Sequence, residues 1–129
     1  MASTRHVLVV ASRAAVADAL REALLTRAAR GPVEFTLLLP CPADAAGEAG
    51  ALLRSAVERL RAAGLDVVGR LGEADPAMAV ADVWDAAEYD ELFIATFAPG
   101  RSHWLEHGVP EQIERRTGVR VERVVVPHA

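Results

Sequence analysis

The stretch His6–Ala11 reads His-Val-Leu-Val-Val-Ala, with no alternation of polar and apolar positions after its first residue. A run of that kind belongs to a strand covered on both faces, because a strand with one wet face alternates. It therefore demands helices on both sides of a sheet, and the rest of the chain supplies them. After His6–Ala11, Ser12 is placed to cap a helix from about Ala14 to Ala29, with Val16, Leu20, Ala23, Leu24 and Ala28 on one stripe, ended by Gly31-Pro32. Val33–Leu39 is a second strand, closed by Pro40-Cys41-Pro42. Asp44 is placed to cap a helix to about Ala63, with Leu52, Leu53, Ala56, Val57 and Leu60 inward and Gly64 at the left-handed stop.

Leu65–Leu71 is a third strand. Asp75 then caps a helix with Pro76 at its first position and an inward stripe of Ala77, Val80, Ala81, Trp84 and Ala87. Glu91–Thr96 is a fourth strand, Pro110 to Thr117 a short helix stopped by Gly118, and Val119–Val126 a fifth strand whose patterning suits a sheet edge. Strands separated by helices, with crossovers long enough to be parallel, predict an α/β doubly wound five-stranded parallel sheet of order 3-2-1-4-5 with helices on both faces. The 129 residues suit one domain spanning 1–129.

In that order the winding reverses between strands 1 and 4, and ligands of open α/β sheets bind outside the carboxyl ends of such strands. The two segments that meet there are Ala11-Ser12-Arg13 and the loop from Thr96 through Gly100-Arg101-Ser102-His103. The candidate ligand-binding residues are Ala11, Ser12, Arg13, Leu39, Pro40, Thr96, Gly100, Arg101, Ser102 and His103. Backbone N–H groups, a guanidinium and a hydroxyl in Gly100–His103 suit an anion nest; the competing reading is a solvated turn with Ser102 capping a helix through Trp104.

Composition removes several chemistries. Every one of the 14 Lys-plus-Arg residues is arginine, so no side-chain Schiff base, Walker-type lysine or amine nucleophile exists here. A net charge of −4 argues against a general nucleic-acid binder. No run reaches the roughly 20 apolar residues needed to cross a bilayer, so no membrane partner is expected. The single cysteine, Cys41, excludes an intramolecular disulfide and suits a cytoplasmic protein. Cys41 reads as an inert, partly buried thiol, since no base is identifiable to lower its pKa. Ser12 lacks the Gly-x-Ser-x-Gly elbow of a hydrolase nucleophile. His103 and His107 have i,i+4 spacing but no third ligand nearby, so no metal is expected. Trp84 and Trp104 read as packing residues. Glu111 and Arg115 are spaced for an exposed helical ion pair on a solvated face.

The element order, the opening strand His6–Ala11, the Gly72…Asp75-Pro76 turn, the Asp90–Thr96 strand and the final strand together resemble the universal stress protein family over the whole chain. Members that bind ATP carry an acidic residue at the end of strand 1 and a run G-x-x-G, nine residues, G-[S/T] after strand 4. Here strand 1 ends Val10-Ala11-Ser12, and after strand 4 stand Gly100 and Gly108, followed by Val109. The family's ATP-binding residues are therefore not carried over. The resemblance implies a dimeric stress-protein-like domain. The expected function is a non-catalytic small-molecule- or partner-binding domain in a stress or regulatory role, paired as a homodimer through Val119–Val126. The alternative is an ATP-binding protein or weak ATPase, with Gly100, Arg101 and Ser102 on the phosphates and Leu39-Pro40 lining a base pocket.

Overall fold

A computed structural model describes residues 3–97, 104 and 107–127. Its strands are β1 (Arg5–Val10), β2 (Val33–Pro40), β3 (Val67–Gly72), β4 (Glu91–Phe97) and β5 (Val121–Val126). They form one parallel sheet in the order β3-β2-β1-β4-β5, as expected. The helices among the described residues are α1 (Asp18–Ala28), α2 (Ala46–Ala62), α3 (Pro76–Val83) and α4 (Val109–Thr117), with 3-10 turns at Arg13–Val16 and Ala43–Ala45 ahead of α1 and α2.

The alternation of side chains along each strand divides the core in two. Val7, Val9, Ala11, Phe35, Leu37, Leu39, Phe93 and Ala95 pack with Leu20 and Leu24 of α1 and Leu53, Ala56 and Leu60 of α2. Leu8, Val10, Leu38, Leu92 and Ile94 pack on the other face with Ala77 and Val80 of α3 and Val109 and Ile113 of α4. Burial on both faces is why β1 and β4 read as unbroken apolar runs. Each fully buried leucine removed to alanine would cost about 2–5 kcal/mol.

β3 lies at one edge, and two glycines let helices approach it. A Cβ on Gly69 would stand 2.9 Å from Leu53 Cγ and Val57 Cγ2, and one on Gly72 would stand 2.9 Å from Leu38 Cδ1 and 3.0 Å from Ala79 Cβ. No real Cβ tolerates those distances, so the close seating of α2 and α3 needs hydrogen at both positions. β5 forms the other edge, with Val125 about half exposed.

Local departures from the sequence expectation have physical causes. Ser12 makes no side-chain cap bond, because the chain leaves β1 through a 3-10 turn in which Ala15 N–H donates to the Ser12 carbonyl, and α1 starts only at Asp18. That turn buries Ala14 and Ala15. Asp44 likewise lies in a 3-10 turn and Ala45 is the N-cap of α2, without a capping side chain. The expected cap at Asp75 is present: its carboxylate accepts from Ala77 N at 2.9 Å and Met78 N at 3.3 Å, with Pro76 opening α3. α3 stops at Val83, since Asp85 begins a separate turn by accepting from Ala87 N. Ala81 within α3 and Ala87 beyond its end are both exposed rather than inward, and Trp84 stacks on buried Tyr89 with ring centroids 5.8 Å apart.

β3 and β5 each begin two residues later than expected. Leu65 N–H still closes α2 onto the Leu60 carbonyl, and Val119 N–H donates to Thr117 Oγ1 beside the left-handed Gly118. Glu111 pairs with Arg123 of β5 at 2.8 Å instead of Arg115.

Candidate functional site

The carboxyl ends of β1 and β4 are neighbours, and the winding reverses between them. The β1–β4 ladder ends at Val10 and Ile94, and the β1–β2 ladder at Val10 and Leu38. The same register carried two residues on brings Ser12 level with Pro40 on one side and Thr96 on the other. The 3-10 turn that starts at Arg13 touches β4. Three of the sequence candidates thus fall in one row across the rim of the sheet.

Their exposures differ. Ser12 is half-buried and Arg13 exposed, while Pro40 and Thr96 are buried. Ala11 and Leu39 are core residues of the α1/α2 face, with Ala11 N–H donating to the Leu38 carbonyl at 3.1 Å. Gly100, Arg101, Ser102 and His103 lie outside the described residues. Trp104 is half-buried and packs on the α3/α4 core, in keeping with a packing role. Cys41 is half-buried at the end of β2, packed against the α1/α2 core, and its N–H donates to the Gly72 carbonyl. Among the described residues no group of three His, Cys, Asp or Glu side chains is placed to hold a metal. No helix among them is long and apolar enough to cross a membrane.

Thr96 stands apart chemically. It is 3% exposed, and its Oγ1 is buried without a hydrogen-bond partner. The other buried polar residue among those described is Arg27, which sequence reading missed. Arg27 sits on the last turn of α1 and reaches the opposite, amino end of β4. Its Nε donates to Glu91 at 2.9 Å and 3.2 Å, and its Nη2 donates to Glu91 Oε2 at 2.6 Å. These bonds hold the Glu91 carboxyl below, and the Arg27 guanidinium above, their ordinary pKa values. The signal was present in part: Arg27 follows Leu20 and Leu24 by seven and three positions, on their stripe, and Glu91 is a charge opening an apolar strand.

An open groove of about 290 Å³ lies at that same amino end, lined by Thr26, Arg27, Arg30, Phe93, Glu122 and Val124 among others. Its buried guanidinium is already engaged by Glu91, and Thr26 Oγ1 donates back to the Glu22 carbonyl. The groove therefore offers a ligand Arg30 and Glu122, of opposite charge, beside groups that the fold already uses.

No family model matches the chain, and no curated protein matches it by sequence. Solved structures do. A universal stress protein crystallised in complex with cAMP superposes with a TM-score of 0.66 at 23% identity, over 96% of this chain and 99% of that one. A universal stress protein from Archaeoglobus fulgidus superposes with a TM-score of 0.62 at 20% identity, over 95% of this chain and 99% of its own. The chain has the universal stress protein fold. Within that fold it carries Ala11-Ser12-Arg13 where β1 ends, with no carboxylate there.

Proposed function

We propose that this chain is a non-catalytic member of the universal stress protein family that binds a small molecule at the carboxyl ends of β1 and β4, in a stress or regulatory role. The observation that carries the reading is the row Pro40, Ser12 and Thr96 at the winding reversal, with Arg13 beside it. The hydroxyl of Ser12 is unused as a cap, so the fold does not account for it. The full-length likeness to a universal stress protein holding cAMP supports a nucleotide as the first ligand to test. The protein acts as a homodimer, pairing through Val119–Val126, whose β5 portion is a sheet edge with an exposed Val125.

Calorimetry of the folded protein with cAMP, and separately with ATP and Mg²⁺, tests the site. Saturable binding that Arg13→Ala weakens by about threefold or more is the expected result. No heat with either nucleotide at millimolar concentration contradicts it. Steady phosphate release from ATP would instead favour a weak ATPase. Sedimentation at micromolar concentration tests the pairing, and a monomer there removes it.

A further inference from the structure

Independently of that reading, we propose that the groove between α1 and β5 binds a small zwitterion of the amino-acid type, its carboxylate on Arg27 and Arg30 and its ammonium on Glu122. Two periodicities build the groove. Ala23, Thr26, Arg27 and Arg30 are spaced i, i+3, i+4 and i+7, so one stripe of α1 and its C-terminal turn forms a wall. Glu122 and Val124 are alternate residues of β5, and Glu122 is in register with Phe93 of β4, so all three share one sheet face. Buried Phe93 and half-buried Val124 make an apolar floor.

The charges that line this groove are not spent on one another. Among the described residues, neither Arg30 nor Glu122 makes an ion pair. Arg123, also at the groove, gives its guanidinium to Glu111. Arg27 bonds Glu91 through Nε and Nη2, which leaves the two N–H groups of Nη1 on a side chain only 7% exposed. Two guanidiniums on one wall suit a planar carboxylate. Glu122, beside Phe93 and Val124, suits an ammonium, which donates three hydrogen bonds and accepts none. A plain anion such as cAMP would meet Glu122 with like charge, and a plain cation would meet the arginines so. The volume of about 290 Å³ lies just below the usual range of ligand pockets, about 300–1,000 Å³, so the occupant is small. With an apolar floor, the expected class is a free amino acid with an aliphatic side chain.

Calorimetry with leucine, with isocaproate, which lacks the ammonium, and with isoamylamine, which lacks the carboxylate, tests the site. Saturable leucine binding is expected, with each analogue at least about tenfold weaker. Arg30→Gln and Glu122→Gln should each weaken leucine binding at least about fivefold and keep the melting temperature within about 2 °C of wild type, since both side chains are exposed. Backbone amide shifts on adding leucine should gather at Thr26, Arg30 and Glu122 and spare Ser12 and Thr96. No heat with leucine at about 10 mM overturns the proposal and leaves the rim between β1 and β4 standing as a site. Equal affinity for leucine and either analogue overturns the zwitterionic class. Wild-type affinity in either variant overturns the assignment of its charge. Loss of leucine binding together with a change in sedimentation also overturns the proposal, because Glu122 would then serve the β5 edge and not a ligand.

Discussion

The two ends of β4 treat a buried polar side chain in opposite ways. At the amino end, Glu91 accepts three hydrogen bonds from Arg27, and the pair ties α1 to the sheet. At the carboxyl end, Thr96 is as deeply buried as Arg27, and its hydroxyl has no hydrogen-bond partner. The same seven-residue strand thus carries a closed polar contact and an open one. A closed contact costs little once formed and much if one partner is lost, whereas an open one costs stability until something fills it. The difference gives one end a structural role, and leaves the other free for the binding role proposed above.

The sharpest way to break this contrast is at the closed end. Glu91→Ala should lower the unfolding free energy by about 2–3 kcal/mol, because it strands the Arg27 guanidinium in the core. Replacing both partners, as Arg27→Met with Glu91→Leu, should recover most of that loss. Urea unfolding of the single and double variants decides the matter. A loss below about 0.5 kcal/mol for Glu91→Ala would mean the contact is not closed in solution.

Acid sharpens the same end. The Glu91 pKa is depressed in the fold, chiefly by its hydrogen bonds to Arg27. Its contribution is therefore complete above the unfolded value, near pH 4.5, and is lost as pH falls through the lower folded value. Glu91→Gln should be less stable than wild type at pH 7 by about 1 kcal/mol, and that gap should narrow as pH falls from about 5 to 3. Glu111 is also held low, first by a hydrogen bond to its own backbone and then by Arg123, and it titrates equally in both proteins. A gap that stays constant with pH would contradict the assignment.

The smallest stability effect belongs to the open end. Ser12→Ala should change the unfolding free energy by less than about 0.5 kcal/mol, since Ser12 caps nothing, whereas a working cap is worth about 1 kcal/mol. Asp75→Ala provides that working-cap comparison in one unfolding series.

The fold was legible because burial on both sheet faces leaves unbroken apolar runs, and parallel crossovers leave helix-length segments between them. The strand order followed from that pattern, and Pro76 after Asp75 marked a true helix start. What escaped was tertiary. Ser12 and Asp44 look like caps by residue type, but 3-10 turns shift both helices along the chain. Arg27 and Glu91 lie 64 residues apart, so nothing local announces their bond. Ser12, Arg13 and Thr96 were legible as one rim from the winding alone. The orphaned state of Thr96 was not, because alternation places a residue on a face without saying whether a partner awaits it there.

The proposed division of β4 into a structural and a binding end is tested most directly by titrating isotopically labelled protein with cAMP and following backbone amide resonances. Saturable shifts at Ser12, Arg13 and Thr96, with Arg27, Arg30 and Glu122 unmoved, are the predicted result. Shifts confined to the groove around Arg27, Arg30 and Glu122, or no shifts anywhere, would contradict it.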